Sequence, residues 1–546
     1  MKKTINKIIV DFMEYLGIRY CFGVPGSNMG LLEEIDKSKK ISLILTKHEE
    51  GASFMASGFS KSSGLPSCCF GSVGPGATNL TTGVAAAYYD SQPVLVLSGQ
   101  IDSSFQGKMG FQESTGKGRT ISQFKLFKEI TKYAYKLSNE KDIPKILKET
   151  YFALNNSRPG PAYIEIPTDI MEKKIKFSNE MFKSFTLENK KRLKRNIVKE
   201  KIKNIAIELA NSRKPAILLG AGAIPHKKEI IRFINKSKIP VLTTLKGRGI
   251  LSDESSFSLG SIGLTGQNSA NEYIKDADFL IVIGASLGQF TTKNWSLNLN
   301  KTKIARFDVL TNDLTKNYRK DYLLLGDISK NVAFLNSVYK TNKGFRDLVI
   351  KYRKKGYFDY PEMSENSLPL KPQAFFSELR KILPKDSIIC SESIAWTQKY
   401  FKIFYPRTNI VCTGLAPVGC SLSEALGSKL ANKDKVVVSI QGDGGFQMTA
   451  MELMTSINNH IPIISIVLNN GILGPIYNSQ IKKYHRAFMS RFKNPDFAKF
   501  ARSFGIGYEK ITNKEEISPK MNNALNKVKK GTSVLVEVII NNEKWP

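Results

Sequence analysis

The sequence predicts an α/β protein built from three doubly wound parallel-sheet domains. Three observations carry this expectation. Short apolar, β-branched runs recur along all 546 residues, among them ISLILT, QPVLVLSGQ, KPAILLGAGA, ADFLIVIG, KVVVSIQ and PIISIVL. Each ends at glycine or a polar residue, and helix-length segments alternate with them, as in a parallel sheet. Two polar stretches, about 172–195 and 340–370, divide the chain into units of 1–171, 195–340 and 368–546, each of ordinary domain size.

The elements follow in order. In MKKTINKIIVDFMEYLGI, Ile5, Ile8, Ile9, Phe12 and Leu16 fall at helical spacing, while Asp11 and Glu14 interrupt the apolar part. The stretch therefore predicts an amphipathic helix and not a secretory signal. RYCFGVPG, ISLILT, PSCCFGSVGPG and QPVLVLSGQ are strand-then-loop units, and GPAYIEIPTDI is the closing strand of the first unit. EEGASFMASGFSKSSG and TNLTTGVAAAYYD are helices rich in small residues, suited to close packing. The second unit has KPAILLGAGA, IPVLTTLKGRG, ADFLIVIGASL and TKIARFDV as strands. The third runs from KPQAFFSELRKILP to TSVLVEVII and resembles the first in style.

Bulk properties narrow the function. No apolar run approaches the ~20 residues of a spanning helix, so no membrane role is expected. The six cysteines form no CxxC pair, which predicts free thiols in a reducing cytoplasm. A net charge of +33 raises nucleic-acid binding. The lysines are nevertheless spread along the chain and lack interleaved aromatics, so the expectation is a Lys-rich surface without nucleic acid as partner.

The chemistry concentrates between Gln441 and Gly471. KVVVSIQ predicts a buried parallel strand ending at Gly442-Asp443-Gly444-Gly445; FQMTAMELMTSINN predicts a helix, and PIISIVL the next strand. A helix of about 14 residues and a strand of about six each cover roughly 20 Å, so the crossover returns the chain parallel. Asp443 and Asn470 then both lie at the carboxyl ends of strands, where open α/β sheets bind ligands. One anionic and one neutral oxygen, with diphosphate oxygens, suit octahedral Mg²⁺. The neighbouring glycines let backbone N–H groups approach a phosphate. Elsewhere, ILTKHEEGASF offers Glu49 and Glu50 at a strand end entering a helix, where burial would raise a carboxyl pKa.

The spacing from GDG to NN resembles the signature of thiamine diphosphate (ThDP) enzymes. The resemblance implies that Asp443 and Asn470 hold Mg²⁺, with the carbonyl of Ile472 as third protein ligand, and that Gly442, Gly444 and Gly445 line the diphosphate. KHEEGASFMASGFSKSSG resembles the family's RHEQGAAxMAxGYAR segment, which selects Glu49 over Glu50 as the carboxyl that activates the cofactor ring. FGVPGSN and GSVGPGATNLTTGVAAAYYD resemble the family's substrate-side loop and following helix, which brings in Gly26 and Asn79. TGLAPVGCSLSEALG resembles GxGxMGxGLPAAIGA; Leu415 and Val418 would prop the cofactor, Val418 standing where methionine is usual. CSESIAW resembles the loop whose amides touch the diphosphate, implying Ile394 and Ala395. GFQE resembles an acetolactate synthase segment and adds Phe111 and Gln112 on the substrate side. The order of domains is that of the family: pyrimidine-binding, central, diphosphate-binding.

Departures matter. The FAD-gripping GxRFDDR of acetolactate synthases corresponds to GASLGQFTTKN here, without its arginine, so FAD, another adenine nucleotide or no ligand are all compatible with the central domain. GPIYNSQ places Ser479 where those enzymes carry an acceptor-selecting tryptophan. PGSN resembles benzoylformate decarboxylase, in which the serine matching Ser27 touches substrate. His48 is either an acid–base group or a structural neighbour of Glu49; His226, His460 and His485 read as surface or helix-end residues. The resemblance implies a ThDP- and Mg²⁺-dependent enzyme acting on 2-oxo acids, foremost an acetolactate synthase-like carboligation of pyruvate. The alternatives are a 2-oxo acid decarboxylase, a 2-hydroxyacyl- or oxalyl-CoA lyase and, remotely, a noncatalytic nucleic-acid-binding protein. It also implies a homodimer or dimer of dimers, since Glu49 and Asp443 come from different domains, and allows a regulatory subunit.

Overall fold

The computed structural model describes residues 2–192, 197–309, 318, 320–340 and 344–543. Within them lie three sheets of six parallel strands, which bears out the expected fold class. The first sheet runs, in space, Ser42–Leu45, Tyr20–Gly23, Ser67–Gly71, Val94–Gln100, Ala162–Pro167, Tyr133–Lys136. The third runs Asn409–Ile410, Ile388–Ser391, Val437–Gly442, Ile464–Asn469, Val534–Ile539, Gly507–Ile511. Counted within each domain, both orders are 2-1-3-4-6-5, so the likeness of the outer units extends to topology. The central sheet has the order 3-2-1-4-5-6 common to dinucleotide-binding domains, with Pro215–Leu219 as its first strand.

The strands are apolar because helices cover both faces. SCCFG shows the division: Cys68 packs with Ile8, Phe12 and Leu97 on one face, and Cys69 with Phe59, Val96 and Tyr163 on the other. The N-terminal helix Ile5–Tyr15 buries the face read from its spacing, including Ile5, Ile8, Ile9 and Phe12. All six cysteines are buried and free.

Two polar stretches differ from the linkers expected. Residues 174–176 form a strand antiparallel to Lys2–Thr4, and Glu180–Arg192 is a helix whose Phe182 and Phe185 are buried against the first domain. Arg346–Arg353 is a helix burying Val349 and Tyr352 in the central domain. A few well-spaced aromatics suffice to dock a helix whose other faces are charged. The helix after Gly442 starts at Asp443 itself, tightens to a 3₁₀ turn at Ala450–Glu452 and resumes over Leu453–Asn458.

The outer domains meet through the helices Glu49–Ser63 and Cys420–Ala431. Their approach requires glycine: a Cβ on Gly58 would lie 2.2 Å from the Glu424 carbonyl oxygen, and one on Gly427 would lie 1.9 Å from that of Met55. Beside this contact sits a buried charge cluster. The Lys61 ammonium donates to Asp90 Oδ2 (2.8 Å), Glu424 Oε1 (2.6 Å) and Cys412 Sγ (2.8 Å). Lys246 of the central domain pairs with the other oxygen of Asp90. All three domains therefore contribute to one ion cluster. Burial alone would raise the Asp90 pKa, but Lys61 and Lys246 hold it below the usual carboxylate range.

Candidate functional site

In the third sheet, strands Ile388–Ser391 and Val437–Gly442 are neighbours, and the connections from them leave in opposite directions along the sheet. Their carboxyl ends form the crevice at which such sheets bind ligands. Asp443 opens a helix there and is 1% exposed. Its Oδ2 accepts from the backbone N–H of Asn470 (3.1 Å), that of Gly471 (2.7 Å) and Asn494 Nδ2 (2.7 Å); Oδ1 accepts from Gly444 N–H (3.0 Å). The structure thus brings together the two ends of the β-α-β crossover. Asn470 Oδ1 accepts from Ile472 N–H at 3.3 Å, so Asp443, Asn470 and Ile472 form one bonded set. A carboxylate, an amide oxygen and an adjacent backbone carbonyl are hard donors of the kind Mg²⁺ takes.

Asn494 extends this set without any sequence signal to announce it. Its Nδ2 also donates to Asn469 Oδ1 (2.8 Å), and its Oδ1 accepts from Gln447 Nε2 (2.8 Å). Glu392, in CSESIAW, was likewise not singled out. Its Oε1 accepts from Ser421 N–H (2.8 Å), tying the loop to the start of the helix Cys420–Ala431. Burial pushes the Glu392 carboxyl up to about 7, against the opposing bonds from Gly419 and Ser421. Gly445 must be glycine here, because a Cβ would lie 2.4 Å from Glu392 Oε2 and 3.2 Å from Val418. Two buried polar atoms at the same strand ends, Ser391 Oγ and Gln441 Nε2, have no protein partner and suit a polar ligand. Ile394 opens a short helix with Ala395 buried behind it. Leu415 and Val418 are about half exposed, at 49% and 55%.

Glu49 lies in the first domain as the first residue of the helix Glu49–Ser63. It is half-buried, less enclosed than the condition under which burial would raise its pKa. Its Oε2 accepts from Asn79 Nδ2 at 2.9 Å, and a Cβ on Gly76 would lie 3.2 Å from its Oε1. His48 caps the helix, Nδ1 accepting from Glu50 N–H at 3.2 Å. The corner is held from the third domain. Glu452 Oε1 accepts from Lys47 N–H (3.1 Å) and His48 N–H (3.1 Å), while Thr455 Oγ1 donates to its Oε2 (2.6 Å). Gly51 leaves room for it, since a Cβ there would lie 2.2 Å from Glu452 Oε1. Burial raises the Glu452 pKa, partly offset by these donors. Sequence reasoning missed Glu452; an acid between methionines and leucine in MELM is the only mark it left.

The remaining sequence candidates are placed as follows. A Cβ on Gly26 would meet Ser72 Oγ at 2.3 Å, and Ser27 Oγ accepts from Val73 N–H (3.2 Å). Neighbouring Asn28 is buried with both side-chain polar atoms unpartnered. Phe111 and Gln112 are exposed, and their loop is organised by Glu113, which accepts from Gly107 N–H (2.6 Å) and Thr115 Oγ1 (2.6 Å). Ser479 is exposed on the helix Gly474–Tyr484, its hydroxyl donating to the Pro475 carbonyl (2.8 Å). In one chain Glu49 and Asp443 belong to separate hydrogen-bonded sets. In the central domain, a Cβ on Gly220 would lie 2.1 Å from the Gly284 carbonyl, so this glycine serves a loop–loop contact. Arg306 is buried there and donates to the Ala285 carbonyl (2.8 Å).

Two outer parallel-sheet domains of like topology, flanking a central one with the strand order of dinucleotide-binding domains, define a class of three-domain α/β enzyme. The chain belongs to the thiamine pyrophosphate enzyme family. Its N-terminal TPP binding domain matches residues 3–119, the central domain 202–336 and the C-terminal TPP binding domain 390–538. It is a ThDP-using enzyme of the acetolactate synthase-like kind. It is 31% identical to the acetolactate synthase large subunit of Lactococcus lactis, covering 98% of this chain and 92% of that protein. It is also 31% identical to a Methanocaldococcus jannaschii protein named "Probable acetolactate synthase large subunit", covering 95% and 89%. Identity to acetolactate synthase 2, chloroplastic, of Nicotiana tabacum is 27%, covering 94% and 79%. Among the described residues no helix is long and apolar enough to cross a membrane.

Proposed function

We propose that the protein catalyses ThDP- and Mg²⁺-dependent decarboxylative carboligation of 2-oxo acids, with pyruvate as donor. The single observation that carries this reading is the bonded set of Asp443, Asn470 and Ile472 at the crevice of the third sheet, joined to the family membership. Asp443, the amide oxygen of Asn470 and the Ile472 carbonyl would hold Mg²⁺, and Gly442, Gly444, Gly445, Ile394 and Ala395 would face the diphosphate. When bound, ThDP supplies a carbon nucleophile that adds to a 2-oxo acid and accepts the electron pair released with CO₂.

The chain's own residues supply the rest. Glu49 holds or releases a proton at a ring nitrogen of the cofactor, and Asn79 fixes the orientation of its carboxyl. Glu452 fixes the backbone before Glu49. Leu415 and Val418 are apolar props and Gly26 lies against the cofactor; Ser27, His48, Phe111, Gln112 and Ser479 border the substrate. Ser479, in place of a tryptophan, gives a wider acceptor pocket.

Half-exposed apolar residues support a homodimer or a dimer of dimers in which one subunit's first domain faces another's third. Tyr89 (61%), Val418 (55%), Met448 (61%) and Met451 (57%) are open to solvent in one chain. The large-subunit names of the relatives support a regulatory partner. Six buried free thiols suit the cytoplasm. FAD is left out of the reaction, because the arginine that grips it in acetolactate synthases has no counterpart at 284–294.

The test is product analysis on protein loaded with ThDP and Mg²⁺ and supplied with pyruvate. Acetolactate is expected. Acetaldehyde alone would make the enzyme a simple decarboxylase, and neither product would move it to the acyl-CoA or hydroxyacyl lyases. A thermal shift on adding ThDP with Mg²⁺ is expected, since a ligand of the folded state stabilises it; no shift, with salt-sensitive binding to nucleic acid, would overturn the enzymatic reading.

A further inference from the structure

Cys412 and Cys420 stand at the two ends of one loop. Cys412 lies two residues past the strand Asn409–Ile410, and Cys420 is the first residue of the helix Cys420–Ala431. The seven residues between them include the apolar props Leu415 and Val418, and the loop turns through Ala416 at φ 52° and Gly419 at φ 92°. Cys412 Sγ, Cys420 Sγ and a Glu424 carboxylate oxygen lie within 4.8 Å of one another. Glu424 stands one helical turn beyond Cys420, so both share a face.

Two thiols become neighbours by chance in a chain with six, and Cys21 and Cys68 show what that looks like. They occupy paired positions on adjacent strands, with sulfurs 3.2 Å apart in the cluster of Ile8, Phe12 and Leu97. Burial pushes the Cys68 thiol far up. Among the described residues no lysine or carboxylate bonds either sulfur. Cys412 is set apart from that pair. The Lys61 ammonium donates to its sulfur at 2.8 Å, and its thiol donates to Glu424 Oε1 at 3.2 Å. Cys412 and Lys61 keep 4% and 8% of their surfaces open, where Cys21 and Cys68 keep none. Peroxide oxidises the thiolate, which a neighbouring lysine favours. Cys420 is held as a thiol, first by its hydrogen bond with Cys412 and then by burial, so the two sulfurs differ in their parts. Two thiols and a carboxylate are also donors for a soft metal ion. Lys61 argues against that use, because its ammonium is already bonded to Cys412, Glu424 and Asp90 and supplies the positive charge an ion would bring.

We propose that Cys412 and Cys420 are a peroxide-oxidised dithiol pair whose disulfide staples the loop carrying Leu415 and Val418. The Cys412 sulfur attacks one oxygen of hydrogen peroxide and the O–O bond breaks. The other oxygen leaves as water with the Cys412 proton, passed through Glu424. The Cys420 sulfur then attacks the sulfenic sulfur, the S–O bond breaks, and the second oxygen leaves as water with the Cys420 proton. Two thiols give up two electrons and two protons, and the peroxide takes them. The pair stands on the chain's own thiols, while its effect on turnover rests on the carboligation reading above.

The experiment exposes the reduced full chain, with ThDP and Mg²⁺, to graded hydrogen peroxide. Free thiols are alkylated after denaturation and the peptides are weighed. Cleavage after lysine and arginine places Cys412 and Cys420, and no other cysteine, in residues 408–429. That peptide is expected to lose two hydrogens at about a tenth of the dose that oxidises Cys21, Cys68, Cys69 or Cys390, and dithiothreitol should restore it. Cys420→Ser should leave a sulfenic acid on Cys412 that dimedone traps, whereas Cys412→Ser should leave Cys420 unoxidised at that dose. Earlier oxidation of Cys21 and Cys68, an oxygen-bridged link from Cys412 to Lys61, or further oxidation of Cys412 without a disulfide overturns the pair. Pyruvate turnover should fall as the disulfide forms and return with the reductant, and Cys412→Ser should not respond to that dose. Turnover indifferent to a formed disulfide overturns the staple. No turnover in the reduced chain overturns the carboligation reading, and the peptide mass still decides the pair.

Discussion

Glu452→Ala tests whether the third domain positions Glu49. The carboxylate accepts two backbone N–H bonds, from Lys47 and His48, both at 3.1 Å, and its loss leaves those donors and Thr455 Oγ1 without their partner. At about 1–3 kcal/mol for each buried donor left bare, and less where water enters, the expected loss of stability is roughly 2–4 kcal/mol. The corner then relaxes, and misplacement of a catalytic group by about 1 Å costs on the order of 100-fold in rate. Urea denaturation would read the first effect and pyruvate turnover the second, with the ThDP–Mg²⁺ thermal shift as a control for cofactor binding. Glu452→Gln keeps a carbonyl acceptor and should retain most of both. Parental turnover in Glu452→Ala, whatever its stability, would refute the positioning role.

Asp443→Ala should abolish the thermal shift with ThDP and Mg²⁺, whereas Glu49→Gln should keep the shift and lose turnover; the reverse pattern would exchange their roles. Lys61→Met leaves Glu424 and half of Asp90 as buried charges and should cost about 3–5 kcal/mol in denaturation experiments, with partial recovery in Lys61→Met/Glu424→Gln. Glu392 has a folded pKa of about 7, raised from 4.5 chiefly by burial. The folded state therefore binds more protons than the unfolded one between those values, and this residue's contribution to stability falls as pH rises through them. Glu392→Gln should flatten the decline seen by urea midpoints from pH 5 to 8; an unchanged slope would assign it to other groups.

The sheets were legible because parallel strands buried on both faces must be apolar runs, and the loops because ligand-binding turns demand glycine. Asp443 and Asn470 were legible for the same reason, each standing beside glycine at the end of such a run. Glu452 was not, because its partners are 404 and 405 residues away and nothing local distinguishes it from an ordinary helical acid. Glu392 was hidden inside a motif read for its backbone amides. The helices Glu180–Arg192 and Arg346–Arg353 were lost in polar composition: Phe182, Phe185 and Tyr352 dock them, but charged residues outnumber those anchors. Glu49 and Asp443 belong to separate hydrogen-bonded sets in one chain, and a single sequence carries no direct sign of how the two are related in space.

The Lys61 cluster has a consequence for synthesis. Lys61 and Glu424 are 363 residues apart, so at about 5–20 residues per second the ribosome makes the second roughly 20–70 s after the first. Until then the nascent first domain carries an ammonium and the Asp90 carboxylate at a surface destined to be interior, and they must stay hydrated. The outer domains thus mature together, and a first domain released alone would emerge with a wet, unfinished flank.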